Sequence, residues 1–295
     1  MISSFTLRMQ VIKGSSRPMG FTGFIVRGVV YEILKVIDKP LSESLHNLKR
    51  LAPFSTTPLK FEYSPNSSLS EGSIISFRIS TLSDELSSKL TQYLIENAPD
   101  NISIRDAKAK LIELMASTVE PKKLLESSEP IEAFSVNFIT PTFFRRSIAT
   151  KCCPACPTPR TSCPLLKTQR RYRYVALPDP YLMFRGLARL WRKFADKHFN
   201  YKRYTEWLLD GGITVSGYTK LKTVRVYEHA TTPKWSVGFK GKVYFNLPKD
   251  TYSIKMAKIT HALLRFGEYS NVGGNRTAGF GVIKHRIKPK KEEEG

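Results

Sequence analysis

Five histidines, four cysteines and a short run of glycines are the residues of this 295-residue chain whose types could carry chemistry. Histidine moves protons near neutrality because its unperturbed pKa of about 6.5 lies in the working range. His46, His198, His229, His261 and His285 are scattered, and any one taken singly reads first as a packing or surface residue. The cysteines are not scattered: Cys152, Cys153, Cys156 and Cys163 fall within twelve residues. Cys153-x-x-Cys156 has the spacing of a metal knuckle, and four thiols match a structural zinc site in number. The adjacency of Cys152 to Cys153, the short step to Cys163 and the stiffening by Pro154, Pro157, Pro159 and Pro164 weigh against it. A structural zinc, one or two disulfides and a reduced loop stay open, the disulfides suiting a hyperthermophile's cytosol better than a mesophile's.

Residues 271–281, NVGGNRTAGFG, place Gly273, Gly274, Gly279 and Gly281 within nine positions. Glycine reaches positive φ and lets backbone amides approach a ligand, so such a loop can cradle phosphate. No Gly-Lys-Ser/Thr follows, and the loop precedes a strand rather than opening a helix, which excludes a Walker loop and a dinucleotide fingerprint. A helix cap followed by a bulged strand is the competing reading. Arg276 tilts the balance toward an anion, because its planar fork suits phosphate.

The elements that must position these groups alternate between strand and helix periods. Residues 5–11 alternate as a strand, and residues 21–37 carry apolar residues at helical spacing behind Thr22 as N-cap. A turn is expected from Asp38, and an extended stretch from Ser55 to Tyr63. SIISFRIS then reads as a strand, TLSDELSSKLTQYLIENAP as a helix with a Ser/Thr-x-x-Glu-like start, and AKLIELMASTV as strand-like. The second half repeats the order. IEAFSVNFITPT is strand-like, residues 181–199 are helical, GITVSGYTKLKTVRVYEH and KWSVGFKGKVYFNL alternate, and a helix ending near Gly273 precedes a last strand. This β-α-β-β-α-β order, met twice, predicts an α+β protein of two tandem ferredoxin-like domains, 1–130 and 131–295, joined near SSEPIE.

Charge separates the halves. The chain carries 47 Lys+Arg against 25 Asp+Glu, a net +22. Residues 1–130 are nearly balanced at +2, whereas residues 131–295 hold +20. So large a surplus points to a polyanion, nucleic acid or an anionic membrane surface. In QRRYRYVAL and KHFNYKRYTEW the basic residues interleave with aromatics, a pattern that offers phosphate contacts beside stacking surfaces for unpaired bases. No apolar run approaches the length of a membrane span, and the N-terminus lacks a signal-peptide core, so a cytoplasmic protein is expected.

LLRFGEYSNVGGNRTAGFGVIK resembles the C-terminal signature of the CRISPR-associated repeat-cleaving endoribonucleases, the Cas six family within the RAMP superfamily. FTGFIVRGVVYEIL, SLHNLKRLAPFSTTPL, FITPTFFRR and GFKGKVYFNL match in order, from about residue 5 to residue 288. The resemblance implies RRM-like domains side by side and an endoribonuclease that cuts precursor CRISPR RNA within its repeat. It implies metal-independent attack by the substrate's own 2′-hydroxyl, giving a 2′,3′-cyclic phosphate and a 5′-hydroxyl, with no cofactor for catalysis. A non-catalytic RAMP subunit holding guide RNA in an effector complex is the alternative.

Carried onto this sequence, the resemblance makes His46 the general acid or base, Tyr31 its partner and Lys49 the phosphorane stabiliser, with Arg50 as substitute. RNA contacts are expected from Arg27, Arg50, Arg145, Arg146, Arg170, Arg171, Arg173, Lys220, Lys222 and Arg225, and from Gly273, Gly274, Arg276, Gly279 and Gly281 of the loop. Residues two apart on a strand share a face, which pairs Arg171 with Arg173 and Lys220 with Lys222. The partners expected are the repeat RNA, as precursor and as product crRNA, and no membrane. Handover to a CRISPR effector complex and a homodimer stay open.

Overall fold

The computed structural model describes residues 1–46, 51–63, 67–96, 99–147, 172–227 and 235–288, with the His46 and Pro18 side chains excepted. Lys49, Arg50, Arg170, Arg171, His229 and the cysteines Cys152, Cys153, Cys156 and Cys163 lie outside the described residues.

The first half begins with β1 (Ile2–Lys13), whose alternation sends Phe5, Leu7, Met9 and Val11 into the core. A short β2 (Ser15–Pro18) leads to α1 (Gly23–Ile37), which lays Val26, Val29, Val30, Ile33 and Leu34 against the sheet. Thr22 stands at the N-cap as expected, but its hydroxyl accepts the Leu59 amide at 2.8 Å rather than capping the helix. The turn expected at Asp38 is one residue only. Asp38 ends α1 and accepts the Leu41 amide at 2.9 Å, so the chain re-enters a helix, α2 (Lys39–His46).

Then come β3 (Phe54–Thr56), β4 (Lys60–Phe61), β5 (Ser68–Leu69), β6 (Ile74–Thr81), α3 (Asp84–Thr91), β7 (Asn101–Ile104), β8 (Ala107–Val119) and α4 (Pro121–Glu126). The capping bond expected at the start of α3 is absent; Asp84 and Glu85 supply negative charge to its first turn instead. The sheet runs β3-β6-β1-β8-β7, with β4 also beside β6, and its described pairings are antiparallel.

The second half contains β9 (Ala133–Thr142), β10 (Phe144–Ser147), β11 (Tyr172–Val175), α5 (Pro180–Phe194), α6 (Tyr201–Leu209), β12 (Thr214–Tyr227), β13 (Trp235–Asn246), α7 (Ile254–Ser270) and β14 (Ile283–Ile287). Its sheet runs β12-β13-β9-β14. Both halves therefore trace β-α-β-β-α-β and order their strands second, third, first, fourth. This is the ferredoxin-like plan, made twice. The second core stacks Phe134 on Phe245 and sets Trp191 edge-on to Phe266, and it also takes in Ile2 and Leu82 from the first half. Among the described residues no helix is long and apolar enough to cross a membrane.

Two sequence expectations change here. KHFNYKRYTEW does not form a stacking surface. It runs into α6, where Tyr204 is fully buried and bonded to Thr260 at 2.9 Å, and the Trp207 indole donates to the Thr251 carbonyl at 2.8 Å. Lys220 and Lys222 do not follow simple alternation either. Lys220 has φ +52°, and the β12–β13 register gains a residue between Thr219 and Lys222 opposite Gly241, a bulge that breaks the two-residue period.

Candidate active site and nucleic-acid interface

The glycine-rich loop is a latch between the halves. A Cβ on Gly281 would lie 1.8 Å from the Val272 carbonyl oxygen, one on Gly273 2.3 Å from that of Phe143, one on Gly274 2.3 Å from the Phe143 ring and one on Gly279 2.8 Å from Pro58. Gly273, Gly279 and Gly281 also need φ near +70°. The chain itself fills the space on the Cβ side of each of these glycines, as the cap-and-bulge alternative expects, while Gly273 and Gly274 also border an open cleft.

Arg276 is bonded into the seam and also lines the cleft beside it. Its guanidinium is 7% exposed and donates to the carbonyls of Ser270 at 2.7 Å and Ala52 at 3.0 Å. Burial, with the nearby charge of Arg189, brings its pKa down to about 10, which leaves it a cation at neutrality. Asn271 donates to the Thr56 carbonyl at 2.8 Å, Thr56 donates to that of Thr277 at 2.9 Å, and Arg78 to that of Glu268 at 2.6 Å. Around them Phe21 and Phe24 of the first half meet Phe280 and Phe143 of the second.

Beside the latch the halves part into a cleft of about 320 Å³. Tyr31 and the end of α2 form one wall. Arg145, Arg189 of α5, Gly273, Gly274 and Asn275 form the other. Helical spacing puts Tyr31 on the α1 face toward α2, where its hydroxyl donates to the Leu45 carbonyl at 3.3 Å and its ring stands edge-on to Phe54. Ser42 of α2 returns a bond to the Tyr31 carbonyl at 3.2 Å. The backbone of His46, last residue of α2, thus follows directly on the residue that Tyr31 grips. Burial raises the Tyr31 phenol, opposed by the charge of Arg27. Among the described residues no carboxylate lines this cleft, so its potential is positive.

Arg145 lies over the rings of Phe143 and Tyr174, at 5.8 and 5.7 Å, and donates to Asn275 at 3.3 Å. Arg146 faces Arg173 across the β10–β11 pair and is held by Asp179 at 2.9 Å. Tyr172 and Tyr174 are exposed, as a stacking surface requires. Arg27 lies over Phe24 at 5.1 Å, and Arg225 over Trp235 at 4.6 Å. The structure therefore brings Arg145 to the Tyr31 cleft, sets Arg146 and Arg173 on the neighbouring ladder, and leaves Lys220, Lys222 and Arg225 on β12.

Sequence reading missed Arg189, which no local pattern marks. It also missed a row across the open sheet face: Thr219, Lys242, Asn137 and Lys284 in one register, with Tyr244, Ser135 and Arg286 in the next. The alternation of Lys240, Lys242 and Tyr244 in GFKGKVYF carried that signal.

The remaining described histidines are tied to packing or lie away from this cleft. His261 is buried, and its Nδ1 accepts the Glu129 amide at 2.9 Å; burial pushes its pKa below the ordinary imidazole value. His285 holds Glu268 at 2.8 Å. Burial would raise the Glu268 carboxyl, but bonds from His285 and Lys284 outweigh it and leave its pKa at about 2. His198 is exposed and lines a separate pocket between α5 and α7. Among the described residues no three His, Cys, Asp or Glu side chains gather as a metal site needs.

The fold has solved counterparts. A Cas6 product complex superposes with a TM-score of 0.72 at 22% identity, covering 97% of this chain and 100% of that one. Thermus thermophilus Cas6 gives 0.65 at 20% identity, covering 97% and 98%. A RAMP protein binding different RNA substrates gives 0.54 at 13%, covering 96% and 99%. No curated protein matches the chain. The model of the CRISPR-associated endoribonuclease Cas6 family matches residues 136–283, half of the chain, from β9 through the latch to the start of β14. The chain belongs to the Cas6 family of CRISPR-associated endoribonucleases.

Proposed function

We propose that the protein cuts precursor CRISPR RNA within its repeat, at the cleft between Tyr31 and Arg189, by attack of the 2′-hydroxyl on the adjacent phosphate. The observation that carries this reading is the meeting of three things at one place: the end of α2 at His46, the Tyr31 hydroxyl, and a wall of arginines with no carboxylate among the described lining residues. His46 exchanges the proton with the attacking or leaving oxygen, a role worth roughly 10²–10⁴-fold when an acid or base is well placed. Tyr31 orients that exchange from α1. Arg145 and Arg189 stabilise the charge that grows on the phosphorane, with Lys49 as the further cation. No metal is needed for this chemistry. The first half supplies the proton-transfer groups, and the basic second half holds the repeat RNA as substrate and product.

The reading is tested with labelled repeat RNA in EDTA. Cutting at one position, blocked by a 2′-deoxy substitution there and leaving a cyclic phosphate, is the expected result. His46→Ala and Lys49→Ala should each slow cleavage at saturating enzyme while RNA binding stays. Parental-rate cleavage by His46→Ala would remove histidine from the mechanism, and binding without cutting by the parent protein would favour a guide-holding subunit.

A further inference from the structure

Strand β8 changes character along its length. Over Ala107–Lys110 it lies between β7 and β1, and its side chains alternate between buried and exposed, as in a sheet with one covered face. From Leu111 to Val119 it keeps β1 on one side, but no described strand takes over from β7 on the other. The alternation ends at the same point. Met115, Ala116, Ser117 and Thr118 are exposed one after another, so this stretch is open on both faces. Ile112 is 43% exposed and Met115 52%.

The register with β1 says which side each residue takes. Leu114 lies opposite Leu7 and Ala116 opposite Phe5, on the core side, whereas Glu113, Met115 and Ser117 lie opposite Arg8, Thr6 and Ser4 on the other. Along the free edge, alternate residues point backbone N–H and C=O groups outward, with no described strand to receive them.

Proteins guard such edges with lysine, proline, bulges or brevity. The second sheet is guarded in this way. Its edge strand β14 is five residues long and carries Lys284 and Arg286, and its other edge, β12, is bulged and carries Lys220, Lys222 and Arg225. The stretch LIELMASTV has no Lys, Arg or Pro, and its one charge, Glu113, is met by Arg8 at 3.6 Å. A bulge at Ile112, next to the end of β7, is its one irregularity.

We infer that this edge pairs with the same edge of a second copy of the chain, antiparallel about a two-fold axis at Met115. The stretch is its own complement. β7 stops it at Lys110 and Pro121 of α4 stops it beyond Val119, which makes Met115 its midpoint. Pairing about Met115 sets Glu113 opposite the partner's Ser117 and Leu114 opposite the partner's Ala116, each contact made twice, as a two-fold interface requires. No like charges face each other, and Met115 meets the partner's Met115 on the axis. The unpaired backbone groups are satisfied and one sheet runs through both copies. No residue of this stretch lines the Tyr31 cleft, so each copy keeps its own.

The test is sedimentation velocity on the full chain without RNA, which separates it from the enzymatic reading. The parent should form a dimer that dissociates on dilution. Met115→Lys and Met115→Glu each set like charges against one another on the axis and should weaken the dimer by about 10²-fold. Because Met115 is half exposed, Tm should stay near the parental value in both. An equimolar mixture of the two variants should dimerise again, since opposite charges then face across the axis. In the unmodified chain, amide exchange over Leu111–Val119 should slow as concentration rises. A parent that stays monomeric, a dimer that both variants leave intact, variants that fail to recover on mixing, or exchange that ignores concentration would each overturn the interface.

Discussion

The loop from Asn271 to Gly281 meets two different surroundings. Its far end, Arg276 to Gly281, is pressed against β3, Pro58 and the start of α1. Its near end, Gly273 to Asn275, faces the open cleft beside Arg145 and Tyr31, and Arg276 and Thr277 border both the seam and that cleft. The same glycine-rich stretch is structural at one end and borders the candidate chemistry at the other. Glycine content alone does not distinguish a cradle for a ligand from a seam between two bodies. Whether the chain's own atoms already occupy the space does.

Substitutions on the two sides should separate stability from catalysis. On the packed side, Gly281→Ala places a methyl 1.8 Å from a carbonyl oxygen at φ +70°, and neither can yield cheaply. A loss of about 3 kcal/mol or more is expected by denaturant unfolding, combining overpacking with left-handed strain. On the open side, Tyr31→Phe removes one hydroxyl bonded at the surface of the cleft. Single-turnover cleavage should slow by about 10²-fold, while stability falls by about 1 kcal/mol. Arg276→Met tests the boundary itself. It deletes the bond to Ala52 that spans the halves and the buried bond to Ser270 within the second half, and about 1.5–3 kcal/mol per charged bond sets the scale. The deficit should appear as lowered Tm, with cleavage restored at reduced temperature; a cleavage defect persisting at full folding would move Arg276 to the open side.

The smallest effect comes from His261. Folding holds this imidazole neutral, with its pKa below 6.5, so the unfolded chain binds a proton that the folded one resists. Stability should therefore decline as pH falls below about 6.5, and His261→Gln should flatten that slope. Glu268 works in a lower window: its carboxyl, held at about 2, supports the fold above the ordinary glutamate value and loses that support as pH falls toward 2.

Much of the fold was readable because its signals are periodic. Phe5, Leu7, Met9 and Val11 announce β1, and the twofold recurrence of element order announces the plan. What escaped was short or non-local. Helix α2 has eight polar-rich residues, and one Asp38 side chain starts it. The hairpin partner β7 is four residues long. For the candidate site, Tyr31 and the α2 segment were legible through resemblance, and the exposed Tyr172 and Tyr174 through composition. Arg189 was not, because the wall it forms exists only when α5 faces Tyr31 across the cleft between the halves. The aromatics of α6 misled because alternation of basic and aromatic residues looks alike on a helix that buries one side and on a strand that exposes it. Only the period, 3.6 or 2, tells them apart.

The latch also has a consequence for when the protein becomes itself. Its bonds join Ala52 and Thr56 to Asn271, Arg276 and Thr277, partners among the most distant in the chain. The first sheet is complete at Val119, yet the residues that cover Phe21, Phe24 and the β3 edge arrive about 160 residues later. At ~5–20 residues per second, a nascent first half waits roughly 8–30 s with that apolar edge unsealed. The seam is thus among the last parts of the fold that a growing chain can form, together with β14, and until then the apolar edge stays open to mispairing with a neighbour.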